Sequence, residues 1–239
     1  YHDFDVKKSA VMIRKVADKI NLWDGTVSGS ADATFSPSAL PSEMLMTDVD
    51  GDGMKEEYKY LSMSYVLAGT EPTYHSVDLF FIDGNGNAVM AENSALEKVE
   101  LRRNCRTDFT GQMLTDQGEL NIREYIEATT VYHNITEDTT LSDKIYNMSG
   151  FDAIQFASEK GDKFTLDNIY MTGDIWTVEL GEYRGAGYVT YQNELNNVVF
   201  EDLVTTVAIE CHEWYFAPAV IAYGYTVMNN CTMTGSTTT

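Results

Sequence analysis

Large apolar side chains recur at every second position through much of this chain, as in Val77, Leu79 and Phe81, then Val89 beyond an intervening turn. Period-two spacing sends alternate side chains to opposite faces of a strand. The strand formers Tyr, Val, Thr, Ile and Phe are plentiful, whereas Pro occurs only 4 times. The pattern predicts an all-β protein.

The first strand falls within Ala10 to Leu22, where Val11, Ile13, Ile20 and Leu22 stand among charges; a short amphipathic helix around Arg14 to Lys19 is the lesser alternative. Gly25 to Pro41 is rich in Ser, Ala and Gly with Phe35 as anchor, and reads as a loop or weak edge strand. Tyr58 to Leu67 alternates large residues as a further strand. The clearest hairpin spans Ser76 to Met90, turning at Asp83-Gly84-Asn85-Gly86, residues that tolerate positive φ. Leu96 to Arg103 and Thr107 to Leu114 complete the series. Short strands with turns at this spacing predict a two-sheet antiparallel sandwich over residues 1–124.

Residues 125–239 carry a weak internal repeat. Phe164 to Gly173, Val198 to Thr206 and Thr226 to Gly235 align without gaps, superposing Leu166, Phe200 and Met228, then Asn168, Asp202 and Asn230, then Ile169, Leu203 and Cys231. Asn or Asp at a fixed corner tolerates the left-handed backbone that a rung turn needs. This predicts the opening rungs of a parallel β-helix or solenoid, with a second β domain as the alternative.

Charge narrows the choice of partners. With 16 Lys and Arg against 37 Asp and Glu, the net charge of −21 repels nucleic-acid backbones and anionic lipid. Basic residues thin out past Arg123 to Lys144, Lys160, Lys163 and Arg184. Cys105, Cys211 and Cys231 form no CxxC pair, so neither a zinc site nor a redox dithiol is indicated. No apolar run is long enough for a transmembrane segment. A chain that starts at Tyr1 reads as an excised piece, with any signal peptide or lipid-anchor cysteine upstream.

Val11 to Leu22, Tyr60 to Leu67 and Arg103 to Leu114, in that order between Lys8 and Glu124, resemble the C-terminal domain of Bacteroides-type fimbrillins. Val11-Met-Ile-Arg-Lys-Val-Ala-Asp-Lys-Ile-Asn-Leu22 is similar to the family's strand with an apolar pair, basic residues and an Ala-x-Lys-Ile-Asn run. Tyr60-Leu-Ser-Met-Ser-Tyr-Val-Leu67 resembles its tyrosine-rich strand. Arg103-Asn-Cys-Arg-Thr-Asp108, followed by Gly111-Gln-Met-Leu114, is the most specific match, although Cys105 stands where the family has an aromatic. The resemblance implies a transthyretin-like sandwich, a lipoprotein exported to the outer-membrane surface, and a role in cell adhesion or the fimbrium without catalysis. The hundred residues beyond it are unexpected in a shaft subunit and favour a surface adhesin.

The sharpest local chemistry is Asp48-Val-Asp-Gly-Asp-Gly-Met-Lys-Glu-Glu57. Alternate carboxylates around a Gly turn can aim hard oxygen ligands at one centre, so Asp48, Asp50, Asp52, the Met54 carbonyl and Glu56 are expected to bind calcium. Lys59 replaces the bidentate acid of a full EF-hand, and the bland alternative is an acidic turn between Leu45 and Tyr58. Asp83 to Asn87 has similar spacing with fewer charges and reads as a turn. Cys211 and His212 would point to opposite faces of a strand, which disfavours a nucleophile–base pair. Gly181 to Gly187 lacks the ending of a phosphate loop. Trp176, Tyr183, Tyr188, Tyr191, Trp214, Tyr215 and Tyr223 form either a sugar-stacking strip or core packing.

These readings predict a non-catalytic cell-surface protein that binds carbohydrate, a host-surface protein or other fimbrial subunits. The alternative is a β-helix carbohydrate-active enzyme, a polysaccharide lyase or hydrolase with an appended sandwich. The scarcity of basic residues in the tail disfavours a lyase.

Overall fold

The computed structural model describes residues 4–40, 44–48, 52–59, 62–92, 94–107, 120–128, 131–135, 137–148, 154–158, 163–173, 177–180, 192–206, 219–222 and 225–238. The chain is all-β, in two compact units, Tyr1–Ile122 and Arg123–Thr239.

In the first unit the strands are β1 (Lys8–Val16), β2 (Lys19–Ile20), β3 (Val27–Ser28), β4 (Ala31–Ala39), β5 (Met44–Thr47), β6 (Glu56–Lys59), β7 (Thr73–His75), β8 (Val77–Ile82), β9 (Asn87–Met90) and β10 (Val99–Leu101). An antiparallel sheet runs β9-β8-β1-β4, and β7–β10, β2–β3 and β5–β6 pair separately. Register explains the core. Val11 faces Leu79 and Phe35, and Ile13 faces Val77 and Ala33, so these side chains share one face. Against that face pack Val66, Leu96, Val99 and Leu101. The opposite face buries Ala10, Met12 and Phe80.

β4 lies at the end of this sheet order, as weak edge character predicts. Its register with β1 shifts between Ser9↔Ser38 and Val11↔Phe35, a bulge that accommodates Pro37, which has no N–H to donate. The hairpin forms where the turn residues place it, pairing Phe81 with Val89 and Ile82 with Ala88. The Asp83 carboxylate accepts the Asn85 and Asn87 amides, and Gly86 takes φ 90°.

Two sequence expectations need correction. Residues 62–66 are not strand; only Leu67 forms a bridge, to Ala17. The large residues behind the apparent alternation there, Met63 and Tyr65, are exposed, while Val66 packs on the core from an irregular segment. Leu96 is buried not from a strand but from a 3₁₀ turn, Ser94–Glu97, with β10 starting only at Val99. Most of Thr107 to Leu114 lies outside the described residues.

The second unit contains β11 (Arg123–Ala128), β12 (Val131–Ile135), β13 (Thr139–Met148), β14 (Ile154–Ser158), β15 (Lys163–Gly173), β16 (Thr177–Leu180), β17 (Gln192–Thr206), β18 (Ala219–Ala222), β19 (Tyr225–Asn229) and β20 (Thr232–Thr238). Odd-numbered strands from β11 to β19 stack in parallel in chain order, with β20 also on β17, while β12, β14, β16 and β18 stack in a second parallel sheet. Strands alternating between two parallel sheets make each circuit a rung of a solenoid.

The long strands turn a corner part-way. Asp143, Asn168, Asn197 and Asn230 all adopt φ between 51° and 54°, a left-handed conformation that Asn and Asp tolerate best. Leu141, Leu166, Leu195 and Met228 form one column before the corner; Tyr146, Met171, Phe200 and Met233 form another after it. Leu166, Leu195, Tyr146, Met171 and Phe200 are fully buried. The three repeat segments are therefore parallel rungs, but the expected register is five residues out for the middle one. Leu195 and Asn197, not Phe200 and Asp202, align with Leu166 and Asn168. One corner residue advances the chain without advancing the alternation, so Leu195 and Phe200 both point inward and look equivalent in sequence.

Candidate functional site

Four groups of chemistry-bearing residues can be built up from these elements. The first is the acidic stretch, which is the loop of the β5–β6 hairpin, with Leu45 opposite Tyr58. The Gly53 amide donates to Asp48 Oδ2 at 2.9 Å and the Met54 amide to Asp52 Oδ1 at 2.7 Å, so both carboxylates shape the turn; Gly53 has φ 87°. Glu56 opens β6 and Met54 is exposed. Asp50 lies outside the described residues. Among the described residues no three His, Cys, Asp or Glu side chains gather closely enough to hold a metal ion.

The second group surrounds Arg14, which is buried in β1 although its neighbours Val11 and Ile13 are the apolar signal of that strand. Its guanidinium pairs with buried Asp78 of β8 and, at 3.2 Å, with Asp32 of β4. Asp32 also accepts the Lys15 amide at 2.9 Å, holding the bulge where Lys15 takes φ 56°. His75 contacts the Arg14 carbonyl through Nδ1 at 2.9 Å and the Thr73 hydroxyl through Nε2 at 2.7 Å. A carbonyl oxygen can only accept, so Nδ1 is the donor in the contact with Arg14. Beside Asp32 opens a cleft of about 250 Å³ walled by Val16, Ala17, Ala31, Ala33, Val66 and Leu67, with Asp18, Asp32 and Tyr65 also lining it.

The third group is the tip of the β2–β3 hairpin. Asn21 and Thr26 close it through the Asn21 amide and Thr26 carbonyl, the Gly25 amide returns to the Asn21 carbonyl, and the Asn21 side chain accepts the Trp23 amide. Asp24 accepts both the amide and hydroxyl of Thr26, hydrogen bonds that hold its carboxyl below the usual range. Arg103 donates to the Gly25 carbonyl at 3.3 Å while its own amide donates to the Gly69 carbonyl. The result is a pinned turn that holds Leu22 and Trp23 in solvent, 92% and 97% exposed. Arg103 thus clamps the tip, and is followed by Asn104 at φ 58° and by exposed Cys105.

The fourth group is the polar strip at the solenoid corner. Asn168 Nδ2 donates to Asp143 Oδ1 at 2.7 Å, Asn197 to Asp167 at 3.3 Å, Asn230 to Asn197 at 2.8 Å and Asn229 to Asn196 at 2.8 Å. Nearby, Lys163 pairs with Glu194, whose carboxyl is held down by the Lys163 and Asn196 side chains and the Lys163 charge. Lys144 pairs with Glu124. Of the tail's basic residues, Lys144 and Lys163 are therefore engaged between rungs, while Lys160 and Arg184 lie outside the described residues. So do Cys211, His212, Gly181 to Gly187 and the seven aromatics of the supposed stacking strip. Trp23, the tip and the Arg14–Asp78 pair were not singled out by sequence reasoning; an apolar Leu-Trp pair before Asp-Gly was the available signal for the tip.

An antiparallel β unit followed by a parallel β-solenoid, joined in one acidic chain, defines the class of protein. The chain belongs to DUF6562, a family of unknown function, which it matches over residues 2–133. The matched segment takes in all the strands of the first unit, then β11, and ends within β12. No curated protein and no solved structure matches the chain. Among the described residues no helix is long and apolar enough to cross a membrane.

Proposed function

We propose that this chain is a non-catalytic surface adhesin or fimbrial-type subunit, related to the fimbrillins and displayed by a lipid anchor at the outer-membrane surface, where it binds carbohydrate or a host-surface protein. The observation that carries this reading is the corner strip. Its amides and carboxylates bond one another from rung to rung, forming a lateral support instead of converging on a reacting atom. A solenoid built this way presents an extended, rigid flank, which suits adhesion. The block order from Val11 to Leu114 supports the fimbrillin relation. Calcium at the Asp48 loop belongs to the same proposal, supported by the alternation of its carboxylates around Gly51 and Gly53.

Binding of the purified chain to a glycan array and to host-cell surfaces tests the reading, run beside a turnover assay on the same polysaccharides. Saturable binding without product is expected. Release of unsaturated or reducing ends, lost in Lys160→Ala, Lys163→Ala or Arg184→Ala, would instead establish the polysaccharide-degrading enzyme.

A further inference from the structure

Leu195 of β17 and Met228 of β19 share the column that points into the solenoid, so alternation puts Glu194, Asn196, Tyr225, Val227 and Asn229 on the outer face. Register sets Val227 beside Glu194 and Asn229 beside Asn196, which makes this one continuous surface within the second unit. Tyr225 is 68% exposed and Val227 38%. No Asp, Glu, Lys or Arg occurs from Tyr225 to Thr239, although the chain carries 37 acidic residues.

The polar end of this face is oriented in advance. The Asn229 amide donates to Asn196 Oδ1 at 2.8 Å, Asn196 donates to Glu194 Oε1 at 3.1 Å, and Lys163 pairs with the same Glu194. That relay fixes which way the Asn229 carboxamide faces. A carboxamide has two N–H groups and two oxygen lone pairs, so Asn229 keeps its carbonyl oxygen and a second N–H for a ligand. Groups already held in place lose little freedom on binding.

The chemistry of the face selects its occupant. One ring and one Val on it offer too little apolar surface for a stable protein partner, which takes on the order of 800 Å² a side. They match the apolar face of a single sugar ring, which stacks on an aromatic side chain. Sugar hydroxyls both donate and accept, as the Asn229 carboxamide does. Tyr225 and Asn229 are four strand steps apart, about 13 Å at roughly 3.3 Å a step, a span that a short oligosaccharide bridges. The uncharged strand suits a neutral glycan, and the net charge of −21 around it turns uronates away.

We propose that the outer face of β19 is a glycan subsite. A neutral oligosaccharide lays one ring on Tyr225 and Val227, and hydroxyls of a neighbouring sugar bond the Asn229 carboxamide. The inference rests on the carbohydrate-binding reading above and assigns it a place on the chain.

Calorimetric titration of the full chain with neutral cello-, xylo-, manno- and N-acetylchito-oligosaccharides, and with an oligogalacturonate, tests this. At least one neutral series should bind, and more tightly than the uronate. Tyr225→Ala should weaken that binding about tenfold, Tyr225→Phe should keep most of it, and Asn229→Ala should cost about two- to tenfold. Circular dichroism should be unchanged in all three variants. Undiminished glycan binding by Tyr225→Ala overturns the subsite and leaves the adhesin reading standing. So does a chain that binds host-cell surfaces but no neutral oligosaccharide, or one that prefers the uronate. A chain that binds neither glycans nor host surfaces overturns both.

Discussion

The Asn230 side-chain amide donates to the Asn197 carboxamide oxygen 33 residues earlier, at 2.8 Å, and both residues hold the same left-handed backbone. Asn168 repeats the arrangement on Asp143. Side chain and backbone make separable contributions here. Asn168→Gly removes the rung-to-rung bond but keeps the easy positive φ, and should cost about 1 kcal/mol. Asn168→Ala adds a left-handed penalty of roughly 1–2 kcal/mol and should be clearly worse. Denaturant midpoints of the two variants check the ordering; equal losses would mean that the corner backbone is not strained.

The buried pair of Arg14 and Asp78 leads to a second expectation. Asp78→Ala takes one carboxylate away from the buried Arg14 guanidinium, and should destabilise the first unit by about 3–5 kcal/mol. The double variant Arg14→Met, Asp78→Leu removes both charges and should recover most of that loss. Urea unfolding of the single and double variants measures the difference.

Tyr125 and Tyr146 set a pH limit. Burial raises the Tyr125 phenol to about 12, with the Asn147 amide pulling it down and Glu127 pushing it up. Burial, then the Glu124 charge, raises Tyr146 as well. A folded pKa above the ordinary value of about 10 gives stability that is full below pH 10 and lost as pH rises toward 12. Phenolate absorbance should show late-titrating tyrosines that ionise together with loss of β circular dichroism. Ionisation of every tyrosine near pH 10 with the fold intact would contradict this.

The Asp48 loop should bind calcium weakly, with Kd on the order of 10⁻⁴ to 10⁻³ M, since Lys59 removes a bidentate ligand. Calcium at a hundred times Kd would add about 2.7 kcal/mol to the folded state. Melting in millimolar calcium and then in chelator should move the midpoint of the wild type but not of Asp50→Ala, Asp52→Ala. An unmoved wild type leaves an acidic turn and nothing more.

Turn chemistry made the β8–β9 hairpin legible, because Asp83 to Gly86 specify a local backbone and Val77 to Phe81 a face. The parallel stacking of the tail was legible for a similar reason, through Asn168 and Asn230. Its register was hidden because Asn197 and Asp202 each follow an inward apolar residue by two positions, and only pairing with the next rung separates them. Arg14 was hidden differently: a charge within an apolar run has the pattern of a solvent-facing position, and the carboxylates that bury it come from Asp32 and Asp78, far along the chain. The Asp48 to Glu57 stretch stays half legible, with its alternating carboxylates in the sequence but Asp50 outside the described residues.

Successive rungs differ in length: Glu124 stacks on Lys144 after 20 residues, Lys144 on Ile169 after 25, Ile169 on Val198 after 29, and Asn196 on Asn229 after 33. Vertical spacing in a parallel ladder is fixed near 4.8 Å whatever lies between its strands, and lengthening a loop adds only a slowly growing closure entropy. Spare chain can therefore accumulate at the turns while the corner asparagines hold the pitch. In such a molecule loop length can change at little structural cost, and what recurs from rung to rung is an Asx corner with an apolar flank instead of a constant period.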